Sequence, residues 1–356
     1  MDMILLLGLL VVLALLGGTG WLLWHILHQQ GRLLLRIEAT EAGLASAERT
    51  WLRDQVGGRV TELAVGAQAH GGSFTGSGPL DITLFPLVSV VLPVYNGERY
   101  LRAAVQSLLR QTLKPIEIII INDGSTDHTE QILGELATDP RVRPVHQHHL
   151  GIPRARNTGM VLAKAKYIAV HDADDLSLPD RLAKQYAFLE QFPDVAVVGS
   201  LANAVNETGH IIGGSDGMVT DPQQIAEMLP RHNCLVHGSV MMRTSALEAV
   251  GKYREAFALT HDYDLWLRIA EHFQIRNLAE VLYLRRSHPD SVSQTHSTLQ
   301  ITYGWIAQEL AEERRQTGSD LLEREGFAAF LSAYGTRLQE AGLPEKMVHA
   351  PQEVHR

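Results

Sequence analysis

Cysteine is almost missing from this chain: 356 residues contain one, Cys234. A single thiol excludes an intrachain disulfide framework, a Cys-rich zinc site and a Cys-ligated iron–sulfur cluster. It is the usage expected in a reducing compartment. An excess of basic charge is missing too. There are 31 Lys and Arg against 40 Asp and Glu, a formal net charge of −9. That balance argues against a general nucleic-acid binder, which needs a basic face. No G-x-G-x-x-G follows the first apolar strand, and no G-x-x-x-x-G-K-[ST] occurs. A dinucleotide fingerprint and a P-loop are therefore unsupported. No repeat of solenoid period is present. What is there, 45% apolar and 20% charged residues, is the composition of a globular protein.

Long apolar runs are also scarce, with one exception at residues 3–27 (MILLLGLLVVLALLGGTGWLLWHIL), interrupted by Thr19 and His25. As a helix this run would be about 37 Å long, enough to cross a hydrocarbon core of roughly 30 Å. Trp21 and Trp24 stand where interfacial aromatics belong. A cleaved signal peptide is the rival, but only Asp2 precedes the run and no A-x-A site follows. Arg32 and Arg36 follow the run and no basic residue precedes it. The positive-inside rule then predicts a single-pass protein of the inner or plasma membrane with its bulk in the cytoplasm. Residues 1–28 are thus read as a transmembrane anchor. Residues 29–56 carry a stripe (Leu33, Ile37, Thr40, Leu44, Ala47, Trp51) read as a helical stalk, able to self-associate or to lie on a surface. Residues 57–85, rich in Gly, Ser and Thr, read as a flexible linker.

From Pro86 the pattern alternates. VSVVLPV (88–94), IEIIII (116–121), RVRPVH (141–146), YIAVH (167–171) and VAVVG (195–199) read as strands. Between them, 97–111, 127–137, 153–166 and 179–191 read as helices. Strands apolar on both faces and alternating with helices predict an α/β fold with a doubly wound, mostly parallel sheet. Ligands of such sheets sit beyond the strand C-terminal ends. Those ends carry carboxylates where phosphate-binding glycines could have stood. Carboxylates repel phosphate, but can hold it through a divalent cation with hard oxygen ligands.

HDADD (171–175) supplies such carboxylates. In extended chain Asp172 and Asp174 would share a face. One could ligate Mg²⁺ or Mn²⁺ while the other holds ribose or bound water; a solvated acidic turn is the plainer alternative. Asp123 ends the second strand and could accept from a pyrimidine base or a ribose hydroxyl. Asp127 reads as a helix N-cap, with Glu130 completing a capping box. Arg154 and Arg156 lie near a helix start, and Arg156 is the better candidate to brace a nucleotide or the site carboxylates.

PVYNGERYL (93–101), INDGSTDHT (121–129), GIPRARNTGM (151–160), HDADDLSLPDRL and HDYDLWLR (261–268) occur in this order. Together they resemble the family 2 glycosyltransferases of GT-A fold, over about residues 87–293. The resemblance implies transfer of a sugar from a nucleoside diphosphate, with inversion, onto an acceptor hydroxyl. It implies that Asp123 contacts the base, Asp172 the ribose region and Asp174 the metal, with Pro93–Tyr95 walling the base. HDYDLWLR resembles the segment that supplies the catalytic base, here Asp262. On a helix Asp262 and Asp264 lie about 200° apart, so only one can face an acceptor. Asp264 reads as a first-turn acid favoured by the helix dipole. The usual Glu of the family motif is His261 here, a departure that bears on acceptor contacts.

VHGSVMMRTSALEAVGKY (236–253) resembles the acceptor-side segment, with His237 either lining that pocket or satisfied structurally. RRSHPDSVS (285–293) resembles a loop over the donor, where His288 could touch the diphosphate or the metal. HQHH (146–149) reads as a loop. The expected organisation is a glycosyltransferase domain over 86–296 and a helical extension over 297–356, with helical patterns at 300–313 and 320–341. The expected donor is a UDP- or dTDP-sugar and the acceptor a glycan or lipid-linked hydroxyl, in cell-surface polysaccharide, lipopolysaccharide or glycolipid synthesis. A polyprenyl-phosphate glycosyltransferase, or a membrane-tethered nucleotide-sugar-binding scaffold without catalysis, are the alternatives. One apolar run and no Q-x-x-R-W motif disfavour a processive synthase.

Overall fold

The computed structural model describes residues 86–215, 218–289, 291 and 295–343. The expected anchor (1–28), stalk (29–56) and linker (57–85) lie outside the described residues. No helix among the described residues is long and apolar enough to cross a membrane.

The first half follows the alternation of the sequence: β1 (Val88–Val94), α1 (Leu101–Leu109), β2 (Ile116–Asp123), α2 (Thr129–Leu136), β3 (Val142–Gln147), α3 (Ile152–Leu162) and β4 (Tyr167–Val170). β-Branched runs, buried throughout in β2 and everywhere but Pro93 in β1, make these central strands. Their two faces feed different cores. Val88, Val90, Leu92 and Val94 pack with Leu101 and Leu108 of α1 and Leu133 of α2. Val91 points the other way, into a core with Met160 of α3.

The second half is less regular: β5 (Leu176–Ser177), α4 (Arg181–Gln191), β6 (Val195–Val205), β7 (Ile211–Gly213), α5 (Pro222–Met228), a 3₁₀ turn at His237–Ser239, β8 (Met241–Arg243), α6 (Thr244–Val250), α7 (His261–Ala270), β9 (Gln274–Arg286), α8 (Ser297–Thr317) and α9 (Leu321–Glu340). The strand order is β3-β2-β1-β4-β8-β6-β9-β5, with β7 beside β6. β3, β2, β1 and β4 pair in parallel. β8 joins β4 and β6 antiparallel, and β5 joins β9 antiparallel. The expected mostly parallel sheet is therefore a mixed sheet. The cause is β8, a three-residue strand that follows the 3₁₀ turn and runs antiparallel to both its neighbours.

Helices α8 and α9 share the larger core. Tyr303, Ile306 and Leu310 of α8 and Phe330 and Leu338 of α9 join Trp266 and Leu267 of α7 there. Phe257 bridges them, its ring 5.7 Å from Tyr303 and 5.6 Å from Phe330. Gly318, at φ 86°, ends α8, and Asp320 with Glu323 forms a capping box on α9.

Candidate active site

Three strand ends and one helix start converge at the carboxyl edge of the parallel strands. At the β1 end Pro93 lies past Val91, the last residue paired with β4, where a missing N–H no longer breaks that ladder. Tyr95 follows it, half exposed, its ring 4.1 Å from His149. Asp123 closes β2 and is buried. Its carboxylate accepts from Gln147 Nε2 (2.6 Å), Leu150 N (3.0 Å) and Gly151 N (2.9 Å). His149 Nδ1 lies 3.0 Å from the same carboxylate. Asp123 thus organises the 147–151 loop that carries the ring stacked on Tyr95. Of HQHH, expected to be a loop, His146 and Gln147 end β3 and pair with β2, and only His148 and His149 lie in the loop; the part that sequence reading missed is His149.

Asp127 does not close a capping box. His128 is the N-cap of α2 and makes no side-chain cap bond. Asp127 accepts from Thr129 N and Glu98 N, both at 3.0 Å. It therefore ties the α2 entrance to the β1–α1 loop, a contact 29 residues away that local spacing does not encode.

The β4 strand stops at Val170, so His171–Asp175 is a turn and the alternation argued for Asp172 and Asp174 does not apply. Each carboxylate takes its own partner. Asp172 Oδ1 accepts from Arg156 NH2 at 2.6 Å. Arg156 is 4% exposed and its Nε and NH1 have no partner. Burial opposes its charge, but Asp172 outweighs burial and holds the guanidinium more firmly protonated than usual. Arg154 instead points to Glu255, 3.7 Å away on the surface. Asp174 Oδ2 lies 2.9 Å from His288 Nε2. Burial, and then the charge of Asp172, raise the Asp174 pKa. Asp175 is buried, accepts from Arg286 N at 2.7 Å, and is raised well above the usual range by burial and by Asp174. Arg286 also donates to the Asp174 carbonyl at 2.8 Å and lies over the Tyr100 ring at 4.7 Å. Among the described residues no group of three or more His, Cys, Asp or Glu could hold a metal. Asp174 and His288 form a pair of hard and borderline donors. That set suits an ion that takes its other ligands from a diphosphate.

Asp262 opens α7, where the helix dipole favours an anion. Asn233 Nδ2 donates to its Oδ2 at 2.8 Å. Burial raises its pKa above 3.8; the Asn233 bond and Arg156 only partly offset that. Asp264 instead pairs with Arg254 and Arg268 and is fully buried. It is the hub of an ion-pair network, more than a first-turn acid. His261 is buried with both ring nitrogens unpartnered. Its ring lies 5.3 Å from His237 and 5.1 Å from Tyr253. His237 Nε2 and Tyr253 Oη are 2.8 Å apart. Burial and then Arg156 push both histidines well below their ordinary pKa, so they are neutral. Gly238 follows His237 at a close approach. A Cβ there would overlap Tyr283 Oη and lie 2.7 Å from Asp172 Oδ2. The structure thus brings Arg156, Asp172, His237, His261 and Asp262 into one cluster, with Asp174 and His288 next to Asp172 and with Tyr95 and Asp123 at the neighbouring strand ends. Asn233, Tyr253 and Arg286 were not singled out. Of these only Arg286 had a signal, since it sits two residues before His288.

Residues 89–251 match the family model for Glycosyl transferase family 2. EpsE of Bacillus subtilis is 35% identical over 222 residues, 61% of this chain and 78% of that protein. An uncharacterized glycosyltransferase of Methanocaldococcus jannaschii is 33% identical over 202 residues, 55% of this chain and 69% of its own length. One from Rickettsia bellii is 30% identical over 269 residues, 73% of this chain, but the chain spans only 39% of it. Two solved structures share the fold. TarS of S. aureus in complex with UDP-GlcNAc has a TM-score of 0.52 at 18% identity, covering 75% of this chain and 76% of that one. The mannosyltransferase PcManGT from Pyrobaculum calidifontis, in complex with GDP-Man and Mn²⁺, has a TM-score of 0.50 at 18% identity, covering 74% and 76%. With carboxylates at the same strand ends as the motifs that drew the resemblance, and relatives matched over most of their length, the chain belongs to glycosyl transferase family 2.

Proposed function

We propose that this chain moves a sugar, with inversion, from a nucleoside-diphosphate sugar to an acceptor hydroxyl. The observation that carries the reading is that buried Arg156 pairs with Asp172 and also acts on Asp262. Asp262, kept basic by burial, takes the acceptor proton. The acceptor oxygen forms its bond to the anomeric carbon as the bond from that carbon to the diphosphate oxygen breaks, and the nucleoside diphosphate leaves with the electron pair. Tyr95 and His149 offer a stacked aromatic platform to the base, with Pro93 in its wall. Asp123 shapes that platform by holding the 147–151 loop. Arg156 fixes Asp172 toward the ribose side. Asp174, with His288, would hold a divalent ion, Mn²⁺ or Mg²⁺. When bound, that ion would neutralise charge on the diphosphate. His237 and His261, both neutral, line the acceptor side.

UDP- or dTDP-sugars are the proposed donors. A glycan or lipid-linked hydroxyl is the proposed acceptor, in surface polysaccharide, lipopolysaccharide or glycolipid synthesis. The apolar run 3–27 would anchor the enzyme to the inner or plasma membrane with this domain in the cytoplasm.

The test is a panel of nucleotide sugars with Mn²⁺ or Mg²⁺, comparing wild type with Asp262→Asn and Asp174→Ala. Asp262→Asn should lower turnover about 10²–10⁴-fold while leaving UDP binding intact. Asp174→Ala should remove the metal dependence. Wild-type transfer by either variant would overturn its assigned role. Nucleotide binding by wild type with no transfer or hydrolysis would favour the scaffold reading.

A further inference from the structure

Helices α8 and α9 lie beyond residue 251, where the family model ends. They nevertheless touch the protein on both sides of Asp262. Thr260, two residues before it, adopts φ 60° and ψ 17°, a left-handed conformation that a β-branched residue rarely holds unaided. Its hydroxyl donates to the Gln300 carbonyl of α8 at 3.0 Å. Tyr263, the residue after Asp262, accepts at its hydroxyl from the Gln308 amide of α8 at 3.1 Å. The same amide donates to the Arg231 carbonyl at 2.7 Å. Arg231 belongs to the segment whose Asn233 bonds Asp262. Two residues past Asp262 on α7, Asp264 binds Arg254, which reaches Asp320, the N-cap of α9, at 2.6 Å.

We infer that α8, acting through Gln308, is a positioning element for Asp262: one amide sets the 231–233 segment against the start of α7 and so fixes the Asn233–Asp262 contact. This rests on the reading of Asp262 as the base. Gln308 is partly exposed and bridges Tyr263 and Arg231 through its side-chain amide alone, so its loss can be separated from loss of the fold. The leverage is large, because misplacing a catalytic group by about 1 Å lowers rates on the order of 10²-fold.

The charged and titratable groups that act on Asp262 are Arg156 from α3 and Tyr253 from the loop after α6; Asp172 pairs with Arg156, and the rings of His237 and His261 pack on Tyr253. The experiment is a carbon-13 NMR titration of aspartate carboxyls in the full chain, the Asp262 signal assigned by its loss in Asp262→Asn. Asn233→Ala is the reference and should move the midpoint upward, since that bond lowers it. Gln308→Ala should move it the same way, with thermal midpoint and UDP affinity at wild-type values. With UDP-GlcNAc, or whichever donor the panel identifies, kcat should fall about tenfold at unchanged KM. A wild-type midpoint in Gln308→Ala overturns the inference. So does a shift accompanied by a lower thermal midpoint, which marks general loosening. If wild type turns over no nucleotide sugar, the catalytic reading fails, while the titration still decides whether Gln308 governs Asp262.

Discussion

Asp262 is held where ionisation is unfavourable. Burial raises its pKa, so the folded state binds its proton more tightly than the unfolded chain does. The sign follows by linkage: its contribution to stability is fully present below the unfolded pKa and is lost as pH rises through the folded one. At neutral pH the ionised carboxylate therefore strains the fold that needs it as a base. Asp262→Asn should raise the thermal midpoint at pH 7–8, by about 2–4 °C for each kcal/mol relieved. The gain should shrink as pH falls through the raised folded pKa of Asp262, where its carboxyl takes up a proton. Differential scanning fluorimetry across that range checks it, and a lower midpoint at pH 8 would sink the argument. Arg156 makes the complementary case. Its Nε and NH1 are buried and bond nothing, while Asp172 keeps partial access to water. An apolar residue of similar length should therefore be tolerated by the fold. Arg156→Met is expected to melt within a few degrees of wild type and to lose UDP affinity in calorimetry. Loss of folding with no separate effect on UDP would make Arg156 structural.

At the scale of elements, the 3₁₀ turn His237–Ser239 is the tightest junction in the site. It brings the backbone of Gly238 against Tyr283 of β9 and Asp172 of the β4 end. Gly238→Ala would have to move one of them. Because Tyr283 is fully buried and its hydroxyl lies 3.3 Å from Asp172 N, the turn and the 171–175 loop should yield first. The expected result is a fold that survives with reduced donor binding, read by UDP titration; wild-type affinity would show that the turn can relax away from the site. The sequence exposed this region unevenly. VSVVLPV and IEIIII are legible as strands because all but Ser89 and Glu117 are apolar, on both faces. Asp123 and Asp172 follow from strand ends alone. β8 is not legible: three residues, MMR, carry no period, and its antiparallel place beside β4 is fixed by contacts far away in sequence. The alternation assumed for Asp172 and Asp174 failed because β4 ends two residues before Asp172. His149 was hidden in a loop whose shape is dictated by a carboxylate 26 residues earlier. Asn233 and Tyr253 had no local signal, since each meets the site only through tertiary packing.

At the scale of the whole described domain, the two terminal helices are part of the machinery. Family resemblance ends before them, yet α7 is enclosed between the sheet and α8, and the larger core continues through α8 into α9. The polar side is equally continuous. Arg254 joins Asp264 of α7 to Asp320 of α9, and Arg314 of α8 meets both Asp320 and Glu271 at the end of α7. Burial opposes ionisation of Asp264, but Arg268 and Arg254 outweigh it and hold its pKa below 3.8. Its stabilisation is thus present above the unfolded pKa and is lost as pH falls through the folded one. Removing either kind of contact should weaken one cooperative unit. Phe330→Ala opens a cavity where Phe257, Phe327 and Tyr334 meet and should lower unfolding free energy by about 3–5 kcal/mol. Asp264→Ala leaves Arg254 and Arg268 short of a buried partner and should lower it by a similar ~3–5 kcal/mol. With Trp21, Trp24, Trp51 and Trp305 replaced by Phe so that Trp266 in α7 is the one fluorophore, urea unfolding followed by fluorescence and by far-ultraviolet dichroism should give one coincident transition in this background and in both variants. If α8 and α9 were an appendage, Phe330→Ala would split the two signals, with the terminal helices melting first and the Trp266 transition unmoved. A coincident, earlier transition would instead mean that the base-bearing helix and the terminal helices stand or fall together.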